Sequence, residues 1–403
     1  MTRIGLRGAP CGEVDAWGVA RLDDHREPVS WWVAASDKWH DPRHSPSVRQ
    51  RAVDGTPVVE TKLAVPGGDV VHRAYVVADQ GGALVYEFEN RSPSAVVVAV
   101  PTRDVATTAS SAGGAPHGLD LPHHVRAFPL THSSTVTFAW PLRRPRRRFI
   151  RPQAAVSIDA GTLASHDAVV RGWAQACEKA SRVSVAPHEL TASRCQILLA
   201  TVQDLDDTLR ADAAVGVLAV VERTRMGDPP GPWITAVADA VQRIARRPQA
   251  SAWSWRALSA AATFFSHADE VDAANDTTAA WQKSLDEHGG GVVVPPISDA
   301  SELARAVKHS ATVEDRIARP VSPLETQLFS DGLAGSRGVN FEAHAVHAGP
   351  RHRLSLAVRW HGENAALLWE VDGPPGLRLT TPAVDAGFST LAAQGEALLK
   401  VTA

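Results

Sequence analysis

The feature that most limits how this chain can fold is a switch in the spacing of its apolar residues, from every second position to every third or fourth and back again. Up to residue 142, short runs alternate in polarity between turn signals: Val29 to Ala35, Val58 to Val65, Val70 to Ala78, Ala83 to Glu89, Ala95 to Val100 and Thr135 to Trp140. Runs of this length and period predict an antiparallel β-sandwich over 1–142. Within Ala83 to Glu89, Leu84, Tyr86 and Phe88 share one face, predicted to be the core face, and Val85, Glu87 and Glu89 share the other. The stretch from Thr102 to Pro129, rich in Ser, Gly, Pro and His, reads as long mobile loops.

A basic run, Arg143 to Arg151, marks a linker over 143–159, after which the period becomes helical. Val169, Val170, Trp173, Cys177 and Ala180 form one stripe, Leu190, Ile197, Leu198, Leu205 and Leu209 a second, and Trp233, Val237, Val241 and Ile244 a third. Further helices are predicted near 213–224, 254–267, 270–287 and 300–309, so that 160–312 reads as an antiparallel helical array. After Gly289 to Gly291 and Val294 to Pro296 the strand period returns. Arg353 to Trp360 and Ala365 to Val371 form a hairpin through His361 to Asn364, with Leu377 to Thr381 a third strand of a small C-terminal β unit, 313–403. The fold class expected is therefore a multidomain α+β chain.

Length and composition agree with that division. A chain of 403 residues exceeds the size at which one core stops growing. With 44% hydrophobic and 21% charged residues it has ordinary globular usage. The balance of 41 basic against 44 acidic residues supplies no general field toward nucleic acid or anionic lipid. No apolar stretch reaches the length of a signal peptide's core or of a membrane span, so a cytoplasmic location and no membrane partner are expected. Cys11, Cys177 and Cys195 are odd in number and form no CxxC pair, which suggests neither a disulfide framework nor a thiolate metal site.

No Walker loop, dinucleotide fingerprint, Gly-x-Ser-x-Gly elbow or His-Glu-x-x-His is present, and no cofactor is implied. Glycosidases escape such a search, because their two carboxylates meet in space from distant positions. The candidate acids are Asp206, which with Asp204 and Asp207 is read toward the C-terminal end of a helix where the macrodipole disfavours it, and Glu342 in Asn340 to His344. Ion pairing, for instance to Arg210, is the plainer role for such acids. Twelve Trp against two Tyr is an unusual aromatic balance. Trp31 and Trp32, adjacent on a strand, must point to opposite faces, leaving one free to stack on a sugar or pack at an interface. Trp255 aligns with Leu258, Ala262 and Phe265 on a core stripe, whereas Trp253 falls off it. His40 with His44, His123 with His124, and His344 with His347 have no spacing that forces a metal site.

Trp253 to Ala262 (Trp-Ser-Trp-Arg-Ala-Leu-Ser-Ala-Ala-Ala), Asn340-Phe341-Glu342, and Ala357 to Gly362 leading to Leu368-Trp369-Glu370 resemble actinobacterial glucoamylase-like proteins, relatives of six-hairpin glycoside hydrolases. The resemblance, concentrated in roughly the last 70 residues, implies a sandwich followed by an α/α toroid and a link to carbohydrate. The helical segment has room for only about six to eight helices of ordinary length, so the toroid would be partial, and no stretch matches a catalytic-acid motif of such hydrolases. Three functions are expected: binding of an oligosaccharide or protein partner without catalysis, hydrolysis by Asp206 and Glu342, or a non-enzymatic scaffold or homo-oligomer.

Overall fold

The computed structural model describes residues 1–23, 25–110, 124–142, 158–185, 187–288 and 301–401. The basic linker lies, as far as residue 157, outside the described residues, as do His123, Gly289 to Gly291 and Val294 to Pro296. Among the described residues the fold is α+β, with eight α-helices and strands gathered into five sheets. The chain divides into two compact units, Met1–Trp173 and Ala174–Ala403.

The first unit carries thirteen described strands. They are β1 (Thr2–Leu6), β2 (Ala9–Val14), β3 (Ala20–Leu22), β4 (Trp32–Ala34), β5 (Trp39–His40), β6 (Arg49–Ala52) and β7 (Val59–Val65). Then come β8 (Gly68–Val77), β9 (Ala83–Asn90), β10 (Val96–Pro101), β11 (Ala106–Thr107), β12 (Val125–Leu130) and β13 (Thr135–Pro141). They pair as β1-β2-β3, β12-β10-β4-β5 and β11-β13-β9-β8-β7-β6. One core gathers Ile4 and Val14 from the first sheet, Val33, Val98 and Phe128 from the second, and Leu84, Tyr86, Phe88, Phe138 and Trp140 from the third. The expected mobile stretch from Thr102 to Pro129 is thus corrected at its ends. β12 pairs with β10 from Val125 to Leu130, and Pro129 is tolerated because β12 is an edge strand.

The other face of β9 is also buried, and charge accounts for it. Arg73 stands directly opposite Glu60 on β7 and Glu87 on β9. Its guanidinium bonds Glu60 at 3.1 Å, Glu87 at 2.9 Å and Glu89 at 2.9 Å, Arg51 pairs with Glu60 at 3.0 Å, and His166 reaches Glu87 at 2.8 Å. A ladder of alternating sign across four strands lets a charged face pack, since cross-strand opposite charges stabilise a sheet and a lone buried charge would not. On the core face, His72 is sealed among Trp31, Tyr86 and Phe88, and burial pulls its pKa down to about 3, so it is neutral. Gly18, at φ +82°, lies over it; a Cβ there would come within 2.8 Å of His72 Nδ1 and Thr61 Oγ1. The Tyr86 hydroxyl donates to Val29 O at 2.6 Å and accepts from Ala20 N at 2.7 Å. Tyr86→Phe strips both groups of this partner and is expected to cost the first unit about 2 kcal/mol in urea unfolding followed by tryptophan emission.

The helix α1 (His166–Glu178) begins in the first unit and ends in the second. The second unit continues with β14 (Arg182–Val183), α2 (Pro187–Leu199), α3 (Val202–Ala211), α4 (Ala213–Arg225), α5 (Ile234–Arg246), α6 (Ser254–His267), α7 (Val271–His288) and α8 (Glu302–Ile317). After these come β15 (Ala318–Ser322), β16 (Glu325–Leu328), β17 (Phe341–Gly349), β18 (His352–His361), β19 (Asn364–Asp372), β20 (Arg378–Thr381), β21 (Asp385–Thr390) and β22 (Gln394–Leu399). Two sheets result, β14-β17-β18-β19-β22 and β15-β16-β20-β21. β18 and β19 form the expected hairpin, but β22 takes the place beside β19, and β20 joins the other sheet parallel to β16. Leu190 of α2 and Val313 and Ile317 of α8 share a core with Leu356, Val358, Leu367 and Trp369 of the larger sheet.

The stripe running from Leu190 to Leu209 is two helices rather than one. Thr201 caps α3 by accepting from Asp204 N at 3.1 Å, while the Asp204 carboxylate accepts from Thr201 N at 2.8 Å. This capping box stops α2 and starts α3. The three aspartates therefore do not end a helix: Asp206 and Asp207 lie at the middle of α3, and Asp204, in its first turn, sits where the macrodipole favours a negative charge.

Candidate functional site

In the second unit, charged side chains converge where four helices meet. On α4, an apolar run that is buried almost throughout ends in Glu222 and Arg225, one turn apart; α2 contributes Arg194, α6 Arg256, and the last turn of α8 Glu314 and Asp315. A carboxylate at a helix C-terminus is disfavoured by the macrodipole, so Glu314 needs strong partners. It accepts from Arg194 at 2.9 Å, from Arg225 at 2.8 and 2.9 Å, from Arg256 at 3.3 Å and from the Ser181 hydroxyl. Glu222 accepts from Arg194 at 2.7 Å, Arg225 at 2.8 Å and Ser310 at 2.9 Å. Arg194 also donates to the carbonyls of Ser181 at 2.6 Å and Cys177 at 3.3 Å, and Arg225 to Ala180 O at 2.8 Å, tying in the chain around the end of α1.

Burial alone would push the Glu314 carboxyl upward. The charges of Arg225 and Arg194, with the hydrogen bonds and Arg256, outweigh it and hold Glu314 well below the usual carboxylate range. Glu222 is depressed in the same way, burial being overcome chiefly by Arg194 and Arg225. Asp315 goes the other way. Burial raises it to about 6 against the pull of Arg256 and Arg319. Arg256 Nε lies 2.9 Å from Asp315 Oδ1, but the two are not aligned for a hydrogen bond. His347, on β17, meets Ser259 at 2.9 Å and Thr263 at 3.3 Å on α6, and burial followed by the charges of Arg256 and Arg225 keeps it neutral.

A Ser–His contact and two nearby carboxylates are ingredients of catalysis, but their arrangement here is closed. The space among these groups is about 20 Å³, room for roughly one water and not for a sugar ring. Both glutamates are ionised and saturated by donors, which suits neither a general acid nor a general base working near neutrality. The second His347 nitrogen faces Thr263 rather than an orienting carboxylate. What the cluster does is bind helices and sheet into one body.

The carboxylates singled out in the sequence lie elsewhere. Asp206 is half-buried within α3, which packs on α4, and Asp207 beside it pairs with Arg210 at 2.8 Å. Glu342 sits on the outer face of β17, its side chain 41% exposed, bound by Arg359 on β18 and by His344 at 3.3 Å, and these partners hold it below the usual carboxylate range.

The tryptophans occupy different surroundings. Trp31 lies in the core of the first unit, while Trp32, on the opposite face of the strand, is buried with Ala99, Val125 and Trp39 and carries Arg43 over its ring at 5.9 Å. Trp253 and Trp255 exchange their expected roles. The helix starts at Ser254, so Trp253 is its N-cap residue and is buried, leaving Trp255 half-buried.

The first unit holds a larger opening, a cavity of about 440 Å³ lined by Arg26, Glu27, Arg103, Asp104, His124 and Trp140 among others. Its size is that of small-ligand sites. His124 and Glu27 stand 3.6 Å apart, so charged groups of both signs line one space, and the Trp140 indole at its wall is almost wholly buried. Of these residues the sequence singled out His124, beside His123, and set Trp140 at the end of a strand, but gave no signal that joins them to Arg26, Glu27, Arg103 and Asp104. Sequence reasoning passed over Arg194, Glu222, Arg225, Arg256 and Glu314, whose one visible signal is charge set inside otherwise apolar helices. Among the described residues no group of three or more His, Cys, Asp or Glu gathers as metal ligands, and no helix is long and apolar enough to cross a membrane. No family model matches the chain, and neither a curated protein nor a solved structure matches it.

Proposed function

We propose that this chain is a carbohydrate-related protein of reduced glycoside-hydrolase-like architecture, a β-sandwich followed by a partial helical toroid, that binds a glycan without cleaving it. The observation that carries the non-catalytic half is the arginine-saturated, water-sized centre of the helical array. The glycan half is supported by the resemblance of Trp253 to Ala262 and of the β17–β19 segment, and by the cavity of the first unit. Guanidinium, carboxylate and imidazole groups around one opening are the donors and acceptors that sugar hydroxyls engage. A protein partner is the second reading. It is favoured by the outer face of the larger sheet, where Leu368 and Leu398 are 40% and 59% exposed and share one side by register.

The test pairs turnover with binding. Across a panel of aryl glycosides no hydrolysis above background is expected, while a soluble oligosaccharide at a hundredfold its Kd raises the stability of the first unit by about 2.7 kcal/mol and an Arg103→Ala variant loses that response. Turnover abolished by Glu342→Gln or Asp206→Asn would replace this reading with a glycosidase. Absence of any oligosaccharide response, with co-purification of a defined partner lost on Leu398→Lys, would replace it with the scaffold.

A further inference from the structure

The sulfurs of Cys177, in the last turn of α1, and Cys195, within α2, lie 3.6 Å apart in the second unit, and both residues are about 1% exposed. Arg194, next to Cys195, ties the two segments together by donating to the carbonyls of Cys177 and Ser181. Two thiols already in contact need little rearrangement to join: a disulfide of about 2.05 Å requires the sulfurs to approach by roughly 1.5 Å, the scale of a χ1 adjustment. Cys11, the remaining cysteine, belongs to the other unit.

We propose that Cys177 and Cys195 are an oxidisable dithiol that closes to an intramolecular disulfide with hydrogen peroxide as the oxidant, fastening α1 to α2. The burial of both thiols selects a small oxidant over a bulky disulfide such as glutathione's. One thiolate attacks peroxide; an S–O bond forms, the O–O bond breaks, and the departing hydroxide takes up the thiol's proton as water, leaving a sulfenic acid. The second sulfur then attacks the sulfenic sulfur, an S–S bond forms, and the expelled hydroxide leaves as water with the second thiol's proton. Two electrons pass from the sulfur pair to peroxide, and two thiols with one peroxide give one disulfide and two waters. Burial raises the Cys195 thiol above its ordinary pKa, so the reaction is slow and follows local opening rather than resting ionisation.

The full-length native protein is treated with hydrogen peroxide, then denatured, alkylated and analysed by intact mass and peptide mapping. The expected result is a fall from three alkylatable thiols to one, a mass lower by two hydrogens before alkylation, and a cross-link joining the peptides that carry Cys177 and Cys195. The melting temperature of the second unit should rise by roughly 5–10 °C and return after dithiothreitol. Cys11→Ser should keep the whole response; Cys177→Ala and Cys195→Ala, each small enough to fold in place of cysteine, should abolish it. Retention of three thiols, a bridge that uses Cys11, or conversion to sulfinic acid without a bridge would each overturn the proposal.

Discussion

Glu314→Gln is expected to destabilise the second unit by about 3–5 kcal/mol, a large fraction of the roughly 5–15 kcal/mol that holds an ordinary domain folded. The cost arises from what is left behind. Glu314 is the common acceptor of Arg194, Arg225 and Arg256, and the glutamine amide would turn an NH₂ group toward a guanidinium that now lacks its counter-charge. Arg194 and Arg225 keep Glu222, but one carboxylate cannot neutralise three buried arginines, and Asp315 reaches only Arg256. The measurement is urea unfolding read by helical circular dichroism, which reports chiefly on the second unit because seven of the eight described helices lie wholly within it. A loss below about 1 kcal/mol with an unchanged m-value would mean that the cluster is as weak as an exposed ion pair.

Much of this architecture was legible in the sequence where the cause is local. The alternation in Ala83 to Glu89 places Leu84, Tyr86 and Phe88 in the core, and the period of 254–267 marks α6 to the residue. Local rules misled where a local signal was overridden. A continuous apolar stripe hid the break between α2 and α3, although Thr201 and Asp204 spell out a capping box. The strands β1 to β3 lack a clear alternation, because Pro10 and the glycines at 5, 8 and 12 interrupt it, yet Gly12 sits close under β3, where a Cβ would meet Arg21 O at 2.1 Å. The charged cluster was out of reach for another reason. Arg194 and Glu314 are 120 residues apart in sequence and touch only after the helices have packed. Nothing in the local pattern around Glu314 distinguishes it from Glu302 at the start of the same helix.

The pH response of the second unit is expected to be a plateau built from two opposed titrations. His347 has a folded pKa depressed well below 6.5 by burial and by Arg256, Arg225 and Arg353, with Glu314 opposing. The unfolded chain therefore takes up that proton first, and stability is lost as pH falls below 6.5, by about 1.4 kcal/mol per pH unit. Asp315 has a folded pKa raised to about 6 by burial and Glu314, against Arg256 and Arg319. Here the native state takes up the proton first, so stability is gained as pH falls from about 6 to the unfolded value near 4. Where both groups titrate, the two slopes oppose each other. Below that window Glu222 and Glu314, both depressed, begin to lose what they contribute, and acid unfolding starts. Asp315→Asn removes one side of the balance. It should stabilise the unit at pH 7 by up to about 3 kcal/mol, since an ionised buried Asp315 is costly there, and the gain should vanish by about pH 4. As pH falls below 6 the variant should show the uncompensated slope of His347, which Asp315 offsets in the wild type. Urea midpoints at half-unit pH intervals give the slopes directly. Parallel curves for the two proteins across the window would show that Arg256, at 2.9 Å, already holds Asp315 ionised in the fold, and would remove the plateau's explanation.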